Sequence, residues 1–289
     1  MKEYTYFPGC SIKGTARPYE SSLFEVFQKF HIALKELEDW CCCGATIYMS
    51  VDEKMAFTLA ARNMALAKNN GTPIVLPCSA CYLVFRKTKD YIEQYPSIKE
   101  KVGKALASIG LDISMATQIA LRHPLDLLMS EVGIENIQKQ IKQPLRKFKI
   151  ASYYGCQIVR PYADFDDPND PVVMDKLFDG LGATVIDYPF KTRCCGGSLT
   201  GTIEDVGLRL NYLLLNEAKK RGANCIAVIC PLCQFNLEAY QQKINAINRT
   251  DISLPVLYFT QILGYALGID EGKLGLNQMI VEPKDLLIA

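Results

Sequence analysis

Apolar residues along this chain follow two patterns that alternate. Short apolar stretches lie at residues 3–7, 31–37 and 73–76, and each is typical of a β-strand. Longer segments, with apolar residues every three or four positions, follow them and predict helices at residues 18–30, 51–70 and about 79–94. Strands that alternate with helices predict a parallel sheet covered by helices.

The second half of the chain repeats this order. Strands are predicted at residues 148–153, 184–188 and 226–229, and helices at residues 172–181, at 203–221 and from Cys230 onward. Residues 252–269 carry no charge, which is borderline for a membrane span. Proline, glycines and polar residues interrupt this stretch, so we expect a buried strand followed by a buried helix.

Residues 96–142 lie between the two halves and contain no cysteine. We predict helices there at 98–109, 117–129 and 134–141, which form a helical connector without a counterpart in the second half. The expected fold is therefore α/β, with two pseudo-symmetric units that each contain a parallel sheet, plus this connector. The expected domains are residues 1–145, which include the connector, and residues 146–289.

Ten of the twelve cysteines fall in register between the halves. Each half has one cysteine after a glycine, then a vicinal pair, and then a Cys-x-x-Cys pair that follows after 34 residues. The matched cysteines are Cys10, Cys42, Cys43, Cys78 and Cys81 in the first half, and Cys156, Cys194, Cys195, Cys230 and Cys233 in the second. Such a duplication indicates two copies of one site. Six additional residues before Cys194 are assigned to a solvated acidic loop at residues 164–170.

The composition narrows the choice of function. The formal net charge is +1 and no long basic run is present, so nothing favours binding to nucleic acid or to a membrane surface. The N-terminus lacks the basic start and apolar run of a secretion signal, so we expect a cytoplasmic protein. Disulfides are not the expected use of the cysteines in such a chain.

The predicted strands place each matched cysteine just beyond a strand end and before a helix. Free N–H groups and the positive end of a helix lower the pKa of a thiol, and thiolates bind metals. A structural zinc ion takes four ligands, whereas each half offers five cysteines, of which two are adjacent. The usual ferredoxin run of four cysteines is absent. The pattern favours an iron–sulfur site of unusual geometry, with a zinc-binding structural protein as the alternative.

The repeated pattern resembles the tandem cysteine-rich CCG domain family, and within it the B subunits of heterodisulfide reductases of methanogenic archaea. The resemblance covers essentially the whole chain. The stretches that carry it are Phe7-Pro8-Gly9-Cys10, Cys42-Cys43-Gly44-Ala45, Arg122-His123, Lys191-Thr192-Arg193-Cys194-Cys195-Gly196-Gly197-Ser198-Leu199 and Cys230-Pro231-Leu232-Cys233-Gln234-Phe235-Asn236-Leu237. The chain departs from the pattern at Cys41, which makes a run of three cysteines.

This resemblance implies a cofactor and an enzymatic activity. The ten matched cysteines would hold two non-cubane [4Fe-4S] clusters, one in each half, which face each other across a cleft. The substrate would be the mixed disulfide of coenzyme M and coenzyme B, which is reduced to two thiols in methanogenesis. In the implied mechanism, two successive one-electron transfers split the disulfide, and one iron of each cluster captures a sulfur. No residue beyond the cluster ligands would be catalytic.

Electrons must come from another protein, because the chain has no Gly-x-Gly-x-x-Gly stretch for a flavin or nicotinamide. The resemblance implies that the immediate donor is a ferredoxin-like C subunit, that a flavin-bearing A subunit supplies it, and that a hydrogenase or formate dehydrogenase lies upstream. The rival interpretation is another CCG-domain oxidoreductase: the iron–sulfur subunit of a thiol:fumarate reductase, or of a complex that oxidises lactate or glycerol phosphate.

A few other residues remain as candidates. Cys225 is expected to be a buried core cysteine, and Cys41 to be structural or to support the ligands. A structural role is favoured for His123 over proton supply or contact with another protein chain, and His31 is expected to be structural or at the surface. Five basic residues near the motifs are candidates for binding the anionic groups of the substrate, with surface salt bridges as the alternative: Lys13, Arg17, Arg160, Lys191 and Arg193.

Overall fold

A four-stranded parallel sheet forms the centre of the first half. The computed structural model describes residues 2–164 and 166–287. The strands are β1 (Lys2–Tyr6), β2 (Ile32–Glu36), β3 (Ile74–Val75) and β4 (Leu121–Arg122), in the spatial order β2-β1-β3-β4. The helices are α1 (Gly9–Lys13), α2 (Arg17–Lys29), α3 (Tyr48–Val51), α4 (Glu53–Asn69), α5 (Ser79–Gln94), α6 (Pro96–Ala107), α7 (Ile113–Gln118), α8 (Pro124–Glu131) and α9 (Ile134–Gln138).

The second half contains a sheet of the same design. Its strands are β5 (Lys149–Tyr153), β6 (Thr184–Val185), β7 (Cys225–Val228) and β8 (Val256–Tyr258), in the order β6-β5-β7-β8 with parallel pairing throughout. The helices are α10 (Val173–Gly180), α11 (Glu204–Lys220), α12 (Pro231–Ala239), α13 (Gln241–Asn248), α14 (Phe259–Ala266) and α15 (Lys284–Leu287), with short 3-10 helices at Gly197–Gly201 and Leu276–Gln278. The predicted α/β fold with two parallel sheets is confirmed.

The connector is mostly helical, as predicted, but the single helix predicted at residues 117–129 is wrong. α7 ends at Gln118, the two residues of β4 pair with β3, and Pro124 starts α8, so no single helix covers residues 117–129. Proline disfavours helical backbone at the residue before it and suits the first turn of a new helix, which explains the break. The connector therefore has a counterpart, because β4 followed by α8 matches β8 followed by α14.

The local sequence fixes several helix boundaries. The side chain of Asp52 accepts a hydrogen bond from Met55 N at 3.2 Å and caps α4, so Val51 belongs to the short α3 and not to the long predicted helix. Pro231 occupies the first turn of α12, where no N–H group is needed.

The uncharged residues 252–269 contain β8 followed by α14, as predicted. Within the described ranges, no helix is long and apolar enough to cross a membrane.

Most of α2 belongs to the second unit by its contacts. The chain through Lys13 and Phe27–Leu127 forms one unit, whereas Gly14–Val26 groups with the chain from Leu128 onward. The ring of Tyr19 stacks on Tyr258 with centroids 4.3 Å apart, and both rings are buried. This grouping differs from the repeat boundary between residues 145 and 146, so the domain boundary stays a prediction.

The acidic run at residues 164–170 has structural contacts that the sequence pattern did not predict. Asp166 Oδ2 accepts hydrogen bonds from Val172 N at 2.9 Å and Val173 N at 2.7 Å, and so holds the start of α10. Asp170 forms an ion pair with Lys191 at 2.8 Å. Phe165, within the same run, lies outside the described residues. Two carboxylates of the run therefore fix neighbouring structure, and the prediction of a merely solvated loop is wrong for them.

Candidate functional site

The matched cysteines of the first half lie beyond the C-terminal ends of three parallel strands. Cys10 lies in α1, which follows β1, and the vicinal pair Cys42-Cys43 follows β2. Cys78 is the residue before α5, which follows β3, and Cys81 lies in the first turn of α5. Parallel strands have their C-terminal ends at one edge of the sheet, so three separate loops bring these thiols together there.

The second half places its cysteines in the same way. Cys156 follows β5, and Cys194 and Cys195 lie in the loop after β6. Cys230 is the residue before α12, which follows β7, and Cys233 lies in the first turn of that helix. Both Cys-x-x-Cys pairs therefore lie at a helix N-terminus, where free N–H groups and the helix dipole favour thiolates.

The thiols of the first half interact with one another. The Sγ atoms of Cys43 and Cys81 are 3.1 Å apart. Further interactions extend the set through Cys42 to Cys10, and through Cys81 to Cys78. Hydrogen bonds from the thiols of Cys42 and Cys81 lower the pKa of Cys43, although desolvation opposes them. We call these five residues the first thiol set.

The second thiol set has equivalent contacts. The Sγ atoms of Cys195 and Cys233 are 3.4 Å apart, and Cys233 also interacts with Cys230. A hydrogen bond with the Cys156 thiol lowers the pKa of Cys194 to about 6, against the effect of desolvation. Each half therefore gathers all five predicted cysteines in one place.

Burial follows the same order in both sets. The second cysteine of the vicinal pair and both cysteines of the Cys-x-x-Cys pair are buried, whereas the first cysteine of the vicinal pair is exposed. The cysteine after the glycine is exposed in the first set and half-buried in the second. Each set thus has a buried base of three thiols and an accessible rim of two, formed by Cys10 and Cys42 in one half and by Cys156 and Cys194 in the other.

Matched glycines allow the backbone to approach these thiols. Gly9 and Gly155 both have φ at +71°, and a Cβ atom at either position would lie 3.1 Å from Sγ of Cys81 or Cys233. A side chain there would be strained by the backbone and would also press on a buried thiol. Both matched positions therefore require glycine, because of the positive φ and the close approach to a thiol.

A second pair of glycines presents N–H groups to sulfur. Gly44 N donates to Cys42 Sγ at 3.4 Å, and Gly196 N donates to Cys194 Sγ at 3.3 Å. Both glycines have positive φ, at +78° and +90° respectively. Such N–H groups stabilise negative charge on a sulfur that ligates a metal.

The chemistry of each thiol set fits an iron–sulfur cluster. Five thiols exceed the four ligands of a structural zinc ion, and backbone N–H groups already face sulfur. Ser79 Oγ, between Cys78 and Cys81, is buried and makes no hydrogen bond to the residues that the structure describes. In those residues, no three His, Cys, Asp or Glu side chains are arranged to hold a single metal ion. The fit to a cluster therefore rests on the number of thiols and on the N–H groups that face them, and not on a preformed site for one ion.

A buried asparagine in α4 binds the backbone and the thiol of Cys41. Asn63 in α4 is fully buried, and its Oδ1 accepts from Cys41 N at 2.9 Å and from Cys41 Sγ at 3.6 Å. Asn63 Nδ2 donates to Cys41 O at 2.9 Å.

The other unmatched cysteine, Cys225, is fully buried in β7, where desolvation raises the pKa of its thiol. The hydrogen bonds of Cys41 with Asn63 and the full burial of Cys225 agree with the structural roles predicted for both unmatched cysteines.

We predict that Cys41→Ser and Cys225→Ser each keep the full complement of bound metal. Neither residue has a counterpart in the other half, and Asn63 already satisfies the Cys41 backbone and thiol. The buried hydroxyl in Cys225→Ser should cost about 1–3 kcal/mol of stability but no metal. Iron content per chain measures this directly. Loss of half the iron in Cys41→Ser would show that the first site uses Cys41 and that the register is shifted by one residue.

The five basic candidates have different surroundings. Lys191 Nζ contacts Asp170 at 2.8 Å and Asp175 at 2.6 Å, and its side chain is only 10% exposed. Burial alone would lower the pKa of Lys191, but these two carboxylates outweigh it and raise the pKa. Lys13 pairs with Glu36 at 2.7 Å, and Arg17 is exposed at the start of α2. The charge of Lys191 is thus balanced within the fold.

Arg160 and Arg193 lie at a cavity beside the rim of the second thiol set. The cavity has a volume of about 450 Å³, and its lining includes both arginines together with Cys156 and Cys194. Arg160 Nη2 also donates to Thr192 O. Two guanidinium groups beside accessible thiols can bind an anionic group of a small molecule.

The two histidines lie outside both thiol sets. His123 is buried directly before α8, and its Nδ1 accepts a hydrogen bond from Leu125 N at 3.2 Å. This contact supports the start of the helix and agrees with a structural role. His31 is exposed in the turn between α2 and β2, with φ at +56°, which agrees with the predicted surface position.

Sequence reasoning missed a buried asparagine at the second thiol set. Asn236 in α12 is fully buried, and its Nδ2 donates to Gly197 O at 2.7 Å and lies 3.5 Å from Cys195 Sγ. The position follows Cys233 by three residues, so it lies on the same helix face one turn later. That spacing, and the place of Asn236 in the stretch from Cys230 to Leu237 that carries the family resemblance, were the signals in the sequence that could have identified it.

Comparisons with known proteins agree with this arrangement. A family model described as the cysteine-rich domain, CCG, matches residues 4–86 and 150–238, which contain all ten matched cysteines. The membrane anchor subunit of the 8-methylmenaquinol:fumarate reductase of Wolinella succinogenes is 30% identical, over 99% of both chains. The B subunit of the ferredoxin:CoB-CoM heterodisulfide reductase of Methanosarcina mazei is 30% identical, over 99% of this chain and 96% of its own.

One solved structure has a similar fold. A hypothetical protein from Helicobacter pylori aligns with a TM-score of 0.74 and 19% identity over 97% of this chain. This chain covers 52% of that protein, so it spans about half of its length. Two family matches in register with the two thiol sets, and relatives aligned from end to end, confirm the predicted resemblance: the chain belongs to the cysteine-rich CCG domain family.

Proposed function

We propose that this protein is the B subunit of a heterodisulfide reductase, which reduces the disulfide of coenzyme M and coenzyme B to two thiols in methanogenesis. The observation that carries the proposal is the pair of thiol sets, with the same five positions and the same buried base in each half. The Methanosarcina mazei relative, aligned over nearly its whole length, bears the corresponding name and supports it.

Each thiol set would hold one non-cubane [4Fe-4S] cluster. The three buried thiols would bind it from the protein interior, and the two rim thiols would bind it on the solvent-accessible side. When bound, such clusters supply single electrons and iron positions at which sulfur can bind. The chain contributes the thiolates, the N–H groups of Gly44 and Gly196 that face sulfur, and the glycine backbone that allows close approach.

Two sites match the stoichiometry of the proposed reaction. Reduction of a disulfide breaks one sulfur–sulfur bond, consumes two electrons and two protons, and releases two thiols. A site that passes one electron at a time must act twice, and two equivalent sites can provide one electron and one sulfur-binding position each. The duplication of the thiol sets therefore has a chemical reason under this proposal.

The arginine cavity would hold one anionic end of the substrate. The mixed disulfide carries sulfonate, phosphate and carboxylate groups, which suit the planar guanidinium donors of Arg160 and Arg193. Their cavity borders Cys156 and Cys194, so an anion bound there would lie near the rim of the second thiol set. Lys191 would have a structural role instead, because its charge is already neutralised by ion pairs with Asp170 and Asp175.

We predict that Arg160→Gln and Arg193→Gln each raise KM for the mixed disulfide by roughly ten- to a hundredfold, with a smaller effect on kcat. A charge-assisted hydrogen bond contributes about 1.5–3 kcal/mol, which corresponds to this range. Lys191→Met is the contrasting variant and should lower thermal stability, because it removes the ion-pair partner of the half-buried Asp175. An unchanged KM in both arginine variants would show that the cavity lined by Arg160 and Arg193 does not bind the substrate.

The electron donors are also part of the proposal. The chain would receive electrons from a ferredoxin-like C subunit, which a flavin-bearing A subunit supplies, with a hydrogenase or formate dehydrogenase upstream. The relative from Methanosarcina mazei is named as one subunit of a ferredoxin:CoB-CoM heterodisulfide reductase, which supports assembly with other proteins. Co-purification of the chain with its neighbours, followed by mass spectrometry, would identify them.

A second candidate function is electron transfer in a fumarate reductase. The relative from Wolinella succinogenes is as similar to this chain as the Methanosarcina mazei protein, and its name describes quinol:fumarate reduction. The two functions are separated by assaying the anaerobically purified complex with the mixed disulfide and a reduced viologen dye, and then with fumarate and a quinol. Disulfide reduction without fumarate turnover supports our proposal, and the reverse result overturns it.

A further inference from the structure

Asn236 is placed to donate a hydrogen bond to a thiol of the second set. Its Nδ2 lies 3.5 Å from Cys195 Sγ, 3.4 Å from Cys195 O and 2.7 Å from Gly197 O. The side chain is fully buried, so no water competes for these contacts. Asn236 therefore faces one of the buried thiols from the interior of the protein.

The orientation of the amide is determined by its partners. Gly197 O and Cys195 O are carbonyl oxygens and can only accept, so the NH₂ group must face them. The opposite atom, Oδ1, lies 2.9 Å from Thr200 Oγ1, whose hydroxyl donates to it. One N–H is satisfied by Gly197 O at short distance, which leaves the other for Cys195. A thiolate at Cys195 would be the stronger acceptor there, because it carries charge.

The first thiol set has no equivalent donor at this position. The cysteine register matches Asn236 with Val84, which is buried in α5 and has no hydrogen-bonding group in its side chain. The buried asparagine of the first half, Asn63, serves Cys41, which lies outside the matched set. The two thiol sets are therefore matched in their ligands but differ in the side-chain contacts around them.

We propose that Asn236 is a positioning residue that raises the reduction potential of the second site by donating a hydrogen bond to Cys195 Sγ. A hydrogen bond to a ligating sulfur withdraws charge from it and stabilises the reduced state. This inference rests on the proposed function, because it requires an iron–sulfur cluster at the second thiol set. It makes the two sites inequivalent although their ligands are duplicated.

The test uses the full chain, purified without oxygen, with iron content measured first. Asn236→Leu removes the donor and keeps a similar volume. Thr200→Val removes only the hydroxyl that orients the amide. Asn63→Leu is the matched control, because it removes an asparagine that holds Cys41 and touches no matched thiol. Redox titration followed by electron paramagnetic resonance gives the potentials, and a Cys78→Ser background assigns the signal of the second site.

We expect Asn236→Leu to shift the second-site potential to a more negative value with iron retained, Thr200→Val to give a smaller shift in the same direction, and Asn63→Leu to leave that potential unchanged. Unchanged potentials in both Asn236→Leu and Thr200→Val would overturn the inference. So would loss of iron in Asn236→Leu together with an unchanged potential in Thr200→Val, since that describes a purely structural residue. Absence of iron from the unsubstituted chain would instead refute the proposed function.

Discussion

Replacing Cys78 or Cys230 with serine is expected to remove about half of the bound iron and to abolish disulfide reduction. Each residue precedes a helix at the end of a central strand, and each thiol is buried. A serine hydroxyl at that position is not ionised at neutral pH and cannot replace a thiolate ligand. Because the two sets lie in separate halves, loss of one should leave the iron of the other in place.

The measurement is iron and acid-labile sulfide per chain, followed by the disulfide assay. Cys225→Ser is the matched control, since Cys225 is equally buried but belongs to no thiol set. Full iron content in Cys78→Ser or Cys230→Ser would exclude that cysteine as a ligand. Loss of all iron in either variant would mean that the two sets do not assemble independently.

Single-site changes at the rim are expected to cost nearly all turnover instead of half of it. The variants are Cys10→Ser and Cys156→Ser, which alter matched positions in the two halves. If each site accepts one sulfur of the disulfide, the remaining site cannot complete the reaction alone, because the second sulfur has no acceptor. Residual turnover should therefore be near background in both variants.

This prediction is checked with the mixed disulfide and an artificial reductant, which removes any dependence on the donor proteins. Cys41→Ser serves as the control, because Cys41 lies next to the first set but contacts Asn63. About half of the normal turnover in either rim variant would mean that the sites work independently, and the shared cleavage of one disulfide would then be wrong.

The fold and the clustering of the cysteines at the candidate site could be predicted because both depend on local patterns. Apolar stretches marked every described strand except β4, and a cysteine motif followed each of the marked strands except β8. The register of the two halves then supplied the five members of each thiol set without reference to any contact. The matched burial of these cysteines is a consequence of one fold that occurs twice.

The features that escaped prediction depend on short elements or distant contacts. β4 has two residues, which is too few for a periodic pattern, and only pairing with β3 makes it a strand. The ion pairs of Lys191 involve residues that lie 16 and 21 positions away in the chain. Asn63 and Asn236 look like ordinary helix residues in sequence, and their roles appear only when α4 and α12 lie against the cysteine loops.

The number of iron and sulfide ions per chain in protein prepared without oxygen tests the central claim most directly. Two thiol sets of five cysteines, each with one four-iron cluster, predict about eight irons and a brown protein. Stoichiometric zinc, a colourless protein and no iron would contradict the iron–sulfur account and leave a structural zinc protein in its place.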